Sequence, residues 1–213
     1  MKSEELIATL SSDVRPVGRH AVGWRLAIGA VLGALVAAVA VMLCLGARPD
    51  LAVAMGGFAF WVKWTYTVSL ALVALGMTAQ LARPDGGTLR RAWIMAIPAA
   101  LLSVVGLAEL ASAPPGEWLA MWLGHSWMLC PWIVLSLAMP IFGGLLWSFR
   151  RLAPTRLRAA GAMAGLSAGA SAATVYCLHC PDVSAIFVLT WYSLGIGLAA
   201  SIGAWLGPRL LRW

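Results

Sequence analysis

The sequence predicts an all-α polytopic membrane protein, a bundle of six transmembrane helices with both termini in the cytoplasm. Three observations lead to this fold class: an apolar composition, six long apolar segments and an alternating distribution of basic residues. Of the 213 residues, 62% are hydrophobic and 11% are charged, whereas a soluble domain carries roughly a quarter charged residues. Because the polar residues are too few to cover a water-facing surface, we expect lipid to surround most of the chain.

Six segments are long and apolar enough to cross the hydrocarbon layer, which takes roughly 20 helical residues. Short connections containing proline and glycine separate them, as helix-stop signals do. We therefore divide the chain into a cytoplasmic N-terminal arm at 1–23 with a short amphipathic helix, a transmembrane domain at 24–207 and a cytoplasmic tail at 208–213. The predicted spans are Trp24–Gly46, Phe58–Ala82, Ala92–Ala111, Ser126–Ser148, Ala159–Cys177 and Val183–Leu206.

The basic residues set the orientation of these spans. They lie before the first span, after the second and fourth spans, and at the end of the chain. The positive-inside rule therefore places these connections and both termini in the cytoplasm. The net charge of +7 then reflects cytoplasmic loops, and we expect no direct contact with nucleic acid. The cytoplasmic set is Lys2, Arg15, Arg19, Arg25, Arg83, Arg90, Arg91, Arg150, Arg151, Arg156, Arg158, Arg209 and Arg212, whereas the three outer connections hold only Arg48.

The first three spans differ in what they carry. The first is an anchor, because its apolar run of 23 residues is too long for a signal peptide and follows 23 mostly polar residues. The second contains Lys63, an intramembrane charge and hence a candidate functional residue. Snorkelling of the Lys63 side chain to the outer interface explains it equally well. Glu109, near the outer end of the third span, could partner Lys63.

The last three spans carry small residues and thiols. In the fifth span Gly161, Gly165 and Gly169 lie four residues apart, a ridge that lets another helix approach closely. Cys130 is expected about one turn inside the outer end of the fourth span, and Cys177 ends the fifth. All cysteines thus fall towards the outer, oxidising side, where disulfides persist.

The stretch ATVYCLHCPDVS, at 173–184, admits several interpretations. Haem attachment needs Cys-x-x-Cys-His and is excluded, since His179 lies between the cysteines. A metal site could draw on Cys130, Cys180 and His179, with Cys177 and His125 nearby. A redox pair needs Cα atoms within about 7 Å. The residues alone leave these last two open; Cys44, isolated in the first span, is interpreted as packing.

The N-terminal arm contains an apolar stripe that lacks a partner. A helix of this length is marginal in water and needs a surface to stay folded. Its acidic first turn argues against anionic lipid and for a groove on a protein. The stripe consists of Leu6, Ile7, Leu10 and Val14.

The chain resembles the NrsF family of bacterial six-helix membrane anti-sigma factors over essentially its full length. The resemblance rests on EELIATLSSDVRPVGRH, FWVKW, GHSWMLCP, APTR, HCPD, WYSLGI and LGPRLLRW, in this order. It implies a protein of the inner membrane that sequesters an extracytoplasmic-function sigma factor and releases it when extracytoplasmic cysteines sense heavy metals or oxidation. The family's sensing cysteines match Cys130 and Cys180, with Cys177 and His179 as lesser candidates. Asp182 stands where glutamate is common in the family.

Two other functions compete with this one. A membrane thiol–disulfide oxidoreductase coupled to quinone would need two exchanging cysteine pairs and a quinone site. A purely structural membrane protein would carry its thiols incidentally. We expect a regulator with no cofactor rather than an enzyme.

Overall fold

The fold is known from a computed structural model that describes residues 4, 5, 7, 20–83, 89–150 and 152–212, with the backbone alone at 89–91. Every regular element in these ranges is helical, which confirms the predicted all-α class. The long helices are α1 (Ala21–Ala40), α2 (Phe58–Leu81), α3 (Ala96–Ser112), α4 (Cys130–Phe149), α5 (Leu157–Tyr176) and α6 (Ser193–Leu210).

Shorter helical pieces extend or join these helices. A π-helical turn, Val41–Leu45, extends α1, and a second one, Val188–Tyr192, precedes α6. Leu51–Met55 and Trp118–Leu123 form short helices in connections that we had expected to be turns. The remaining pieces are Leu89–Met95, Pro115–Glu117 and Ala185–Phe187.

The start of α4 corrects the predicted boundary. We expected the fourth helix to begin at Ser126, which would place Cys130 about one turn inside it, but Cys130 is its first residue. Pro131 fits the first turn because its missing N–H would lack an intrahelical partner there. Residues 124–129 form turns instead.

Successive long helices alternate in direction, so their connections gather at two ends. The connections at 46–57, 113–129 and 177–184 lie together at what we call the cysteine end; for example, the Arg48 N–H donates to the Leu178 carbonyl at 3.2 Å. At the opposite end, Ser148 near the end of α4 donates to the carbonyl of Arg25 in α1 at 2.9 Å. All four cysteines lie towards the first of these ends.

Helix α5 lies at the centre of the bundle, packed against α2, α4 and α6. Eleven of its 20 residues are buried, and nearly all of these are alanine, glycine or serine. A Cβ atom on Gly161 would overlap the carbonyl oxygen of Gly203 in α6. The backbones of α5 and α6 are therefore in direct contact, which confirms the packing role of the glycine ridge.

Among the residues that the structure describes, five helices are long and apolar enough to cross a membrane: Ala21–Leu45, Phe58–Leu81, Ala92–Ser112, Cys130–Phe149 and Ala185–Leu210. Helix α5 is as long as α4, but its small residues make it less apolar, so it is not among the five. Large apolar side chains cover the outside of the bundle, as expected for contact with lipid. Examples are Val31, Leu35, Leu72, Leu101 and Val104, each more than half exposed.

Candidate functional site at the cysteine end

Three of the four cysteines meet in the interior of the cysteine end and are called the cysteine cluster: Cys130, Cys177 and Cys180. Each is 0% exposed, and they lie close enough to interact electrostatically. Cys130 begins α4, Cys177 directly follows α5, and Cys180 lies in the loop at 177–184. Cys44 is exposed in the π turn after α1 and stays outside the cluster. All four are unpaired thiols in this structure.

Lys63 of α2 is buried against this loop. Its side chain is 1% exposed, so snorkelling to an interface is the wrong explanation for it. The Lys63 Nζ donates to the carbonyl oxygens of Asp182 at 2.8 Å and Cys180 at 3.3 Å. It also lies 4.6 Å from the centroid of the Tyr192 ring, within the range of a cation–π interaction. One lysine thus fixes both ends of a three-residue segment.

Glu109 of α3 has a different role from the one expected. Its Oε2 accepts hydrogen bonds from the backbone N–H of Ala185 at 2.8 Å and the Ser184 hydroxyl at 3.3 Å. Ala185 begins the helical stretch that runs into α6, where N–H groups lack intrahelical partners and negative charge is favoured. The expected pairing of Glu109 with Lys63 is therefore wrong, because each is satisfied by backbone groups.

Asp182 fastens the loop to the turn before α4. Its carboxylate accepts hydrogen bonds from the Ser126 hydroxyl at 2.6 Å, the His125 N–H at 3.0 Å and the Ser126 N–H at 3.2 Å. Burial opposes ionisation, but these bonds outweigh it and hold the pKa of Asp182 below its ordinary value. The Ser126 oxygen also lies 3.7 Å from the Cys180 sulfur. We call this arrangement the Asp182 clamp. In the sequence, only the Pro-Asp turn marked this position.

Two buried tyrosines complete the site, and the sequence analysis missed both. The ring centroids of Tyr176 and Tyr192 are 5.7 Å apart, and both side chains are at most 1% exposed. The Tyr192 hydroxyl has no hydrogen-bond partner among the described residues. A buried hydroxyl usually finds a partner, so this one marks a polar position beside the thiols.

The histidines proposed as metal ligands point elsewhere. His179 Nδ1 donates to the Gly46 carbonyl at 2.8 Å, and the largely exposed His125 side chain lies against Asp182. Across the described ranges, no three His, Cys, Asp or Glu side chains are arranged to hold a metal ion. The metal site involving Cys130, Cys180 and His179 stays a prediction.

Comparison with known proteins places the chain in a family. The sequence model of NrsF, described as "Negative regulator of sigma F", matches residues 10–213. The chain belongs to the NrsF family. Two relatives are each 39% identical over 100% of both chains: the "Probable anti-sigma-F factor NrsF" of Azospira oryzae and the "Anti-sigma-F factor NrsF" of Caulobacter vibrioides. No solved structure matches the chain.

Membership of the NrsF family confirms the resemblance seen in the sequence. The family is one of regulatory proteins rather than enzymes, as we expected for this chain. The oxidoreductase alternative has no counterpart in these comparisons.

The Asp182 clamp predicts that Asp182→Asn destabilises the fold by about 1–3 kcal/mol at neutral pH, because hydrogen bonds to a charged acceptor are lost in a buried place. Thermal unfolding in detergent micelles measures this. Folding lowers the pKa of Asp182. Its contribution to the free energy of unfolding is therefore complete at a pH above its ordinary pKa of about 3.9. That contribution is lost as the pH falls through the lower pKa of the folded state.

Asp50→Asn is the matched control for this substitution. Asp50 is half exposed and pairs with Arg48 at 2.6 Å, and exposed ion pairs contribute little. If Asp182→Asn unfolded at the same temperature as the wild type, the clamp would be contradicted. The same holds if both variants lowered the unfolding midpoint equally.

Proposed function

We propose that the protein is a membrane anti-sigma factor that sequesters an extracytoplasmic-function sigma factor and releases it when its cysteines sense metal or oxidative stress. The names of the family and of both relatives support a sigma factor as partner. The observation that carries the sensing role is the meeting of Cys130, Cys177 and Cys180 at one end of the bundle, tied to a hydrogen-bonded loop.

The proposed topology has six spans in the bacterial inner membrane with both termini in the cytoplasm. Helix α5 is the remaining span, the fifth in chain order, because neighbouring helices shield its small residues from lipid. The described basic side chains at the cysteine end are Arg48 and Lys63, whereas the opposite end carries Arg25, Arg83, Arg150, Arg156, Arg158, Arg209 and Arg212. This asymmetry favours a cytoplasmic opposite end.

Reporter fusions test the topology. A reporter after Trp213 should be active in its cytoplasmic form, and one near Pro114, at the cysteine end, in its exported form. An exported signal from the C-terminal fusion would reverse the orientation and remove the cysteine cluster from the oxidising compartment.

The proposed signal starts at the thiols. Joining Cys130 and Cys180 in a disulfide would pass two protons and two electrons to the oxidant; a thiophilic metal ion would instead replace the thiol protons. Either change acts on a loop whose carbonyls bind Lys63 of α2 and whose Asp182 binds the turn before α4. A shift of this loop would therefore reach at least two helices that continue to the opposite end.

Serine substitutions test the sensing role. Cys130→Ser and Cys180→Ser should each uncouple sigma-dependent transcription from metal or oxidant stress, because serine can neither form the bridge nor bind a soft metal comparably. Transcription from a sigma-dependent promoter is the measurement. Cys44→Ser is the control, since Cys44 is exposed and outside the cluster. Equal effects of all three would indicate general destabilisation.

The N-terminal arm is the proposed sigma-binding segment. Leu6, Leu10 and Val14 lie outside the described residues, while Ile7 is described and is 64% exposed. Burying such side chains supplies roughly 1.5–3 kcal/mol each, from which ordering costs must be subtracted. The basic residues of the opposite end could steer an acidic partner and speed association.

A double substitution tests the arm. Leu6→Asp with Leu10→Asp should release the sigma factor constitutively, because charges replace half of the apolar stripe, while the bundle still accumulates in the membrane. Sigma-dependent transcription without stress is the readout, with membrane levels of the protein measured by immunoblot. Unchanged repression at normal levels would place the binding surface in the loops instead.

A further inference from the structure

A basic pocket lies between the start of α5 and the end of α6, at the end of the bundle opposite the cysteines. Its volume is about 520 Å³, and we call it the arginine pocket. Arg158 of α5 lines it together with Arg209, Arg212 and Trp205 from the end of the chain, and no carboxylate of the described residues does. Three guanidinium groups around one cavity suit an anion that has several acceptor oxygens.

Backbone contact between the two helices fixes the position of this pocket. A Cβ atom on Gly207 of α6 would overlap the carbonyl oxygen of Leu157 in α5. Arg158 directly follows Leu157, and Arg209 lies two residues after Gly207. The guanidinium carbon of Arg209 lies 4.3 Å from the centroid of the Trp205 ring, within the range of a cation–π interaction. Packed helix ends rather than a long loop therefore hold these side chains.

The positive charges of the arginine pocket are not neutralised within the described part of the chain. The ion pairs found there are Arg48 with Asp50 and His125 with Asp182, both at the cysteine end. None of the three pocket arginines donates a hydrogen bond to another described residue. Charges of one sign that line a cleft attract a counter-ion. The pocket is thus complementary to a negatively charged ligand.

An apolar groove, which we call the α6 groove, continues from this pocket along the outside of α6. Its residues are exposed and lie three or four positions apart, on one face of the helix: Leu194, Gly197, Ser201 and Trp205. Gly197 and Ser201 are small and lie between two larger side chains. The Ser201 hydroxyl donates to the Gly197 carbonyl at 2.8 Å, so its polar group is satisfied inside the helix. The face rises about 16 Å from Trp205 to Leu194, roughly half of a hydrocarbon layer of about 30 Å.

We propose that the arginine pocket binds the phosphate of an anionic phospholipid whose acyl chain lies in the α6 groove. Arginine donates paired hydrogen bonds to phosphate oxygens, and basic pockets between transmembrane helices recognise anionic headgroups. Trp205, 64% exposed at the junction of pocket and groove, has the place of a tryptophan at the membrane interface. The site goes beyond the proposed function and does not depend on it. Under the proposed topology the lipid belongs to the cytoplasmic leaflet.

The α6 groove distinguishes a lipid from other anions. A free phosphate ion would use the arginines and leave the groove empty. An acidic protein surface would approach from the aqueous side and would also leave the groove empty. A molecule with an anionic head and an apolar tail uses both features, which is why the lipid is favoured.

Native mass spectrometry of the full chain in detergent micelles tests the proposal with two lipids of identical acyl chains, dioleoyl-phosphatidylglycerol and dioleoyl-phosphatidylcholine. The wild type should hold one phosphatidylglycerol about tenfold more tightly than phosphatidylcholine, since the pocket arginines attract the net negative charge. Arg158→Gln with Arg209→Gln should weaken phosphatidylglycerol binding about tenfold or more, because charge-assisted hydrogen bonds are lost. Equal binding of the two lipids by the wild type, or unchanged binding in the double variant, would overturn the proposal.

Arg150→Gln with Arg156→Gln is the matched control. It removes two positive charges at the same end of the bundle, and neither residue lines the arginine pocket. Its affinity for phosphatidylglycerol should stay near that of the wild type. Equal losses in the two double variants would mean that the whole basic end attracts anionic lipid, and the specific site would be refuted.

A second variant tests the groove and covers the case in which the arginine variant does not fold. A Cβ atom on Gly197 meets no atom within 4 Å, so the fold should accept Gly197→Leu. The leucine fills the groove without changing the charge and should weaken phosphatidylglycerol binding about fivefold or more, because the acyl chain loses its apolar contact. Gly143→Leu is the control, since Gly143 of α4 is exposed and equally unobstructed. No loss in Gly197→Leu, or the same loss in Gly143→Leu, would overturn the assignment to a lipid.

Two further measurements separate the lipid from the other anions. Excess inorganic phosphate should leave phosphatidylglycerol bound; full displacement would make the pocket a site for soluble anions. Sigma-dependent transcription without stress should stay low in Arg158→Gln with Arg209→Gln. High transcription in that variant, with phosphatidylglycerol affinity retained, would make the pocket a docking surface for protein. Serine variants of the cysteines that left stress-dependent transcription intact would remove the sensing role, while the lipid site would still stand.

Discussion

The cysteine end depends on one constraint, the need of the partly buried loop at 177–184 to satisfy its backbone polar groups within the protein. Its partners come from separate parts of the chain. Lys63 of α2 binds two carbonyls, the Arg48 N–H binds a third, and the Asp182 side chain holds the turn before α4. The loop that carries Cys180 is thereby the piece that holds α1, α2 and α4 in register at this end.

The rest of the bundle is held differently. Helix α5 packs through small residues whose backbones touch those of α6, as at Gly161 and Gly203, and such contacts depend on van der Waals packing. Helix α3 is peripheral: Leu102 and Gly106 are its buried residues, and Glu109 ties it to the start of the α6 stretch. Directional polar bonds are concentrated where the thiols lie. A chemical change at sulfur therefore acts on the most specifically bonded region of the molecule.

The features that could be predicted from sequence are those with a local or periodic signal. Apolar length located the helices, and the four-residue spacing from Gly161 predicted close approach by another helix, which the structure shows to be α6. Burial of Lys63 had no such signal, because its carbonyl partners lie more than 100 residues away in the chain. The same holds for the Asp182 clamp and for Glu109, whose partners depend on how loops fold over one another. The alternation of helices predicted that all four cysteines lie towards one end. It did not predict which of them share a site, or the role of Tyr192.

The π-helical turn at Val188–Tyr192 links the rotation of α6 to the orientation of Tyr192. A π turn holds one residue more than an α turn, and one residue corresponds to about 100° of rotation around a helix. The backbone contact of Gly203 with Gly161 fixes how α6 is rotated. Tyr192, the last residue of the π turn, lies about three turns from that contact, and its ring faces Lys63. The extra residue instead offsets the helical piece that precedes the turn, Ala185–Phe187. The rotation of the glycine contact relative to the thiol site is therefore set within one continuous helix.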